Sequence, residues 1–157
     1  MSVPPADAVP DWVAADPFRA HLAHVAAVSG LPWSLIALHA GVSVSLARHL
    51  LFGRQGRRVT RISAASARRI LAVTPATAGA LRSTWVDAGP TVARLVDLLR
   101  RGAAVSALAA TLALDSGVLL GILEGHTPRV PAELSLRVRA LQAATDLDAA
   151  RPVVRAA

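Results

Sequence analysis

The chain has no cysteine, which excludes disulfide frameworks and cysteine-based zinc sites. It has no lysine either, so all 17 basic residues are arginine. Aromatic residues make up only 3% and β-branched runs are few, which leaves little material for large sheets. The longest apolar stretches, such as Val105 to Leu114, fall far short of the roughly 20 residues that cross a bilayer. The opening segment MSVPPADAVPDW puts prolines and acids where a signal peptide needs a basic start and an apolar core. A soluble cytoplasmic protein with no membrane association is therefore expected. The most informative absence is of carboxylates, since no Asp or Glu occurs from residue 17 to residue 86.

That acid-free stretch holds Arg19, Arg48, Arg54, Arg57, Arg58, Arg61, Arg68, Arg69 and Arg82, with His21, His24, His39 and His49. From Asp87 to Ala150, by contrast, seven acids face six arginines. The net charge of +7 is thus concentrated in the first half. Ordinary surfaces mix both signs, so a field this one-sided points to a polyanionic partner. Arginine suits that role, because its guanidinium forks onto phosphate oxygens with two donors. The lack of lysine identifies no partner by itself, since a GC-rich genome produces the same bias. Apolar residues make up 54% of the 157, many of them alanine, which leaves enough to bury one ordinary core or two small ones.

The sequence also repeats. Residues 30–53, GLPWSLIALHAGVSVSLARHLLFG, align without a gap on residues 102–125, GAAVSALAATLALDSGVLLGILEG. Beyond this the first copy is four residues longer, and Arg61-Ile62-Ser63-Ala64 falls on Arg129-Val130-Pro131-Ala132. The fold class expected is all-α, two tandem four-helix units related by internal duplication. In the first copy the periodicity and punctuation predict helices over 17–28, 33–39, 44–52 and 64–73. Gly41 makes the turn before the third of these, Ser43 and Ser63 act as caps, and Gly53 terminates the third. The second copy predicts helices over 91–101, 105–112, 116–124 and 132–145, with Asp115 in the cap position of Ser43. The expected organisation is a loose segment over 1–16, a first unit over 17–75, a connection over 76–90, a second unit over 91–150 and a tail over 151–157.

The spacing of Ala37, Gly41-Val42-Ser43, Ala47 and Leu50 is that of a helix-turn-helix. Ala37 is small where two helices cross, Gly41 turns the chain, and Ala47 and Leu50 anchor the second helix on the core. Val44, Ser45, Arg48 and His49 are left to face a major groove. Arg48 can fork onto a guanine, and His49 can reach a base or a phosphate. Val44 can touch a thymine methyl, and Ser45 a backbone oxygen. Ser34 begins the preceding helix, where N–H groups and a hydroxyl can hold a phosphate. Arg54, Arg57, Arg58 and Arg61 form a flexible basic loop, suited to phosphates or to an adjacent minor groove. Arg68 and Arg69, as helical neighbours, cannot both face DNA.

On residues 37–75, ALHAGVSVSLARHLLFGRQGRRVTRISAASARRILAVTP, and 85–102, WVDAGPTVARLVDLLRRG, the chain resembles the small helix-turn-helix proteins and phage-type repressors of actinobacteria. The resemblance covers about four fifths of the chain. It implies DNA binding through the third helix, without implying a particular operator. Ala47 stands where that pattern has valine.

The second unit is expected to do something else. The register that brings Arg48 to the groove places Ser116, Gly117, Leu120 and Gly121 there, flanked by Asp115 and Glu124. Leu119 and Leu120 are expected to form an interaction surface for a second copy or another protein. The leading expectation is a sequence-specific transcriptional regulator of double-stranded DNA. The alternatives are an architectural nucleoid protein and a helix-turn-helix-derived interaction module. His21 and His24 have a spacing that can ligate metal, but no acid or cysteine lies near to complete a set. Asp146 and Asp148 lack a partner base. No catalytic residue, metal or cofactor is therefore expected. Trp33 and Trp85 are expected to pack at helix starts, Trp85 between the two halves, and Trp12 to dock on the body.

Overall fold

Helix punctuation in the sequence is realised almost residue for residue in the computed structural model, which describes residues 11–150. These residues are mostly helical, with two small two-stranded ladders. They fall into two units, divided between Gly79 and Ala80.

The first unit runs β1 (Trp12–Ala14), α1 (Asp16–Ser29), α2 (Trp33–Ala40), α3 (Val44–Phe52), β2 (Arg61–Ser63), α4 (Ala64–Ala72) and α5 (Pro75–Gly79). Gly41 closes α2 at φ 76°, and the next N–H, of Val42, donates to Ala37 O at 3.0 Å. Ser43 Oγ then accepts from Leu46 N–H at 3.0 Å, and Ser63 Oγ accepts from Ser66 N–H at 3.1 Å at the start of α4. Each such cap contributes about 1 kcal/mol, because it satisfies an N–H with no partner inside its helix. The core is built from one face of each helix: Leu22 and Val25 of α1, Leu35 and Ile36 of α2, Leu50 of α3 and Ile70 of α4. Ala37 and Ala47 are fully buried, the core positions their spacing predicts.

The second unit runs from a 3-10 turn (Ala80–Arg82) through β3 (Trp85–Asp87), α6 (Gly89–Arg100), α7 (Val105–Leu112), α8 (Ser116–Leu123) and β4 (Arg129–Pro131) to α9 (Ala132–Ala149). The axes of α7 and α8 turn by 108° across Ala113-Leu114-Asp115. Asp115 Oδ1 caps α8 by accepting from Gly117 N–H at 2.8 Å. Leu95, Leu98, Leu108, Leu119, Ile122 and Val138 form the centre of its core.

The ladders were not expected from the sequence. β1 pairs antiparallel with β2, Val13 opposite Ile62, and β3 with β4, Val86 opposite Val130. Each is tied off in the same way: Ala15 N–H donates to Thr60 O at 2.9 Å, and Ala88 N–H to Pro128 O at 3.0 Å. Arg61 Nη2 donates to Trp12 O at 3.0 Å, as Arg129 Nη2 does to Trp85 O at 2.9 Å.

Two expected boundaries are thereby corrected. Of the segment 1–16 expected to be loose, residues 12–14 are strand and Ala15 is fully buried, because the ladder satisfies their backbone groups. The connection expected over 76–90 contains α5, the 3-10 turn and β3, divided between the two units. Residues 1–10 and the expected tail over 151–157 lie outside the described residues.

Candidate nucleic-acid interface

With Ala47 and Leu50 holding α3 to the core, the opposite side of that helix turns outward. Arg48 is exposed, and its guanidinium has no partner among the described residues. Val44, Ser45 and His49 are half-buried around it. Ser34 is half-buried in the first turn of α2. Arg48 is thus the most accessible of these five.

Several residues of the acid-free stretch have internal duties. Arg19 donates from Nε to Leu50 O and from Nη2 to Val59 O, both at 2.6 Å, and its Nη1 pairs with Asp16. Arg69 Nη1 donates to Gly41 O at 3.1 Å, bracing the turn between α2 and α3. His21 Nε2 lies 2.7 Å from Val73 O; a carbonyl only accepts, so that nitrogen carries the proton. His24 is exposed, and among the described residues no three His, Asp or Glu side chains come together as a metal site.

The segment after α3 corrects the expectation of a flexible loop. Arg54 N–H donates to Arg57 O at 2.8 Å and Arg57 N–H to Arg54 O at 3.0 Å. Between them Gln55 (φ 50°) and Gly56 (φ 74°) reverse the chain in two residues, the tight hairpin turn whose central residues both have positive φ. Gly53, at φ 82° and ψ 175°, leads into it. A Cβ at Gly53 would lie 2.6 Å from Arg57 O, so only glycine fits. Arg54, Arg57 and Arg58 are exposed with no side-chain partner among the described residues. Arg61 is exposed too, but its guanidinium is engaged at Trp12 O. Trp33 meets Phe52 edge-on at 5.7 Å, an aromatic pair at the start of α2 and the end of α3. Sequence reasoning missed this pair, because Phe52 is 69% exposed and belongs to no core stripe. Trp12 and Trp85 are each about half exposed, within their ladders.

In the second unit α8, which aligns on α3 in sequence, presents Ser116, Gly117, Val118 and Leu120 to solvent. Leu119 is corrected: it is 0% exposed, whereas Leu120 is 43% exposed. Neighbours on a helix point about 100° apart, and Leu119 takes the core position that Ala47 holds in α3. Exposed Asp115 and Glu124 flank the helix. An open depression of about 280 Å³ is lined by Leu112, Leu114, Leu134, Arg82, Glu133 and Arg137. Its charges are paired internally, since Glu133 takes Arg137 Nη2 at 2.7 Å and Arg82 Nε at 3.2 Å. Arg101 is bound by Asp146 and Asp97, and the hydrogen bond it donates to the Asp146 carboxylate raises its pKa above the ordinary arginine value.

Compared with known proteins, the chain matches no family model, no curated protein and no solved structure.

Proposed function

We propose that the chain is a sequence-specific DNA-binding protein, a transcriptional regulator in which α3 of the first unit lies in the major groove of duplex DNA. The observation that carries this reading is Arg48: an exposed guanidinium without a partner among the described residues, on a helix whose other face is fixed by Ala47 and Leu50. It lies in a stretch, 17–86, without a carboxylate to compete for it. In this reading Arg48 forks onto a guanine, and His49, Val44 and Ser45 complete the contact with base edges and backbone. Ser34 and the exposed Arg58 hold phosphates, and the exposed Arg54 and Arg57 place further positive charge beside them. Arg61 holds the ladder and contributes charge nearby. The kinship proposed is with the actinobacterial and phage-type helix-turn-helix proteins that residues 37–75 resemble, and the site of action with the nucleoid in the cytoplasm.

We further propose that the two units are duplicates. Support comes from the matching ladders, the paired arginine-to-tryptophan-carbonyl bonds, and the gapless alignment of 30–53 on 102–125. The second unit, with acids beside α8 and Val118 and Leu120 exposed, is assigned to contact with a second copy or another protein. No catalytic step is part of this function.

The test is selection of the full chain on random duplexes. Enrichment of one motif supports sequence-specific regulation. An unchanged pool with strong, salt-sensitive binding makes the protein architectural, and absence of any binding leaves only an interaction module.

A further inference from the structure

We infer that the Arg54–Arg57 turn is a preformed prong that enters the minor groove beside the α3 site, where its arginines respond to the narrow, A·T-rich form of that groove. This role presupposes the major-groove placement of α3 and adds a contact of a different kind.

The first support is order. Phosphate contact alone asks little of a loop, because long arginine side chains reach a phosphate from many backbone conformations. Here the backbone is held at both ends and across the middle. Arg19 uses its guanidinium internally, binding Leu50 O before the turn and Val59 O after it, both at 2.6 Å. Gly53 packs so closely that a Cβ would come within 2.6 Å of Arg57 O. The two cross-turn hydrogen bonds, at 2.8 and 3.0 Å, close the tip.

The second support is shape and position. A two-residue reversal is the narrowest a hairpin allows, and the minor groove is about 6 Å wide. If the N-terminal residues of α3 meet the base edges, the segment that follows its C-terminal end is carried outward towards the bounding phosphates, beyond which lies the minor groove. Narrow A·T tracts concentrate negative potential and draw in arginine.

The third support comes from within the chain. Eight residues, 53–60, join α3 to β2, but only five, 124–128, join α8 to β4. Val92 stands in α6 where Arg19 stands in α1, counting from Trp85 and Trp12. The longer turn and the arginine that fixes it therefore occur together, in the unit that carries Arg48.

The test uses the full chain and its selected duplex. Base pairs flanking the core, on the side where protection from cleavage reports the turn, are made A·T, I·C or G·C. An I·C pair presents the minor groove of A·T and resembles G·C in the major groove. The expected result is equal affinity for A·T and I·C and about ten-fold weaker binding to G·C. The Arg54→Ala/Arg57→Ala double variant, which alters exposed side chains only, should bind all three flanks alike. Equal binding of the three flanks by the unaltered protein would reduce the turn to a phosphate contact, and I·C behaving as G·C would make it a major-groove reader; either overturns the proposal. Failure of the α3 reading itself shows separately, as an Arg48→Ala variant that still discriminates the core motif.

Discussion

Replacing Gly53 by alanine tests how the basic turn is held. Its backbone, at φ 82° and ψ 175°, lies in a region that residues with a Cβ occupy at a cost of about 1–3 kcal/mol. The new methyl group would also sit 2.6 Å from Arg57 O, far inside van der Waals contact. Relief requires moving Arg57, which breaks the two hydrogen bonds between Arg54 and Arg57, each contributing about 1 kcal/mol. Alanine restricts the unfolded chain and returns about 0.4–1 kcal/mol. The net expectation is a loss of about 2–5 kcal/mol from the first unit. Gly56→Ala is the control: φ is 74° but, its chain neighbours aside, no atom of the described residues would lie within 4 Å of the new Cβ, so only the left-handed backbone cost of about 1–2 kcal/mol applies, partly offset in the same way. Urea denaturation followed by circular dichroism measures both variants. If the two lose the same stability, to within about 0.5 kcal/mol, the close approach at Gly53 does not hold the turn and the reasoning fails.

Other expectations follow from burial, backbone angle and charge. Leu119→Ala should cost about 2–5 kcal/mol in denaturation experiments, whereas Leu120→Ala should change stability by no more than about 0.5 kcal/mol. Ala113 occupies, at φ 54°, the turn position that Gly41 holds in the first unit; Ala113→Gly should therefore stabilise the second unit by about 0.5 kcal/mol, read as a raised urea midpoint. Arg58→Ala should weaken DNA binding across sequences and lower the slope of log affinity against log salt by about 1.

How much of this was legible in the sequence depends on how local each cause is. Ser43, Ser63, Asp115 and Gly41 act within a turn of their own helices, and all four behave as their spacing predicts. β1 and β2 were not legible, because three-residue strands 49 positions apart carry too little alternation to register. A signal was present all the same: Trp12-Val13, Ala15 and Pro17 return as Trp85-Val86, Ala88 and Pro90, and this repeat marks both ladders and the helix starts after them. The order of the basic segment was hidden for a different reason. Gln55 adopts positive φ without being glycine, and nothing near Arg54 in sequence indicates that Arg19 fixes the chain on either side. The site itself was half legible. Register alone turned Arg48 outward, but it could not show that Arg19, Arg61 and Arg69 have structural partners while Arg54, Arg57 and Arg58 have no side-chain partner among the described residues. Leu119 was recoverable, since it aligns on Ala47, a residue already assigned to the core.

The most direct measurement is fluorescence anisotropy of the full chain and its Arg48→Ala variant, on the selected duplex and on a scrambled one, at a single salt concentration. A base-reading Arg48 predicts a loss of about 1–3 kcal/mol on the selected duplex and little change on the scrambled one. Equal losses on both duplexes, or no loss on either, would contradict the assignment of α3 as the helix that reads DNA.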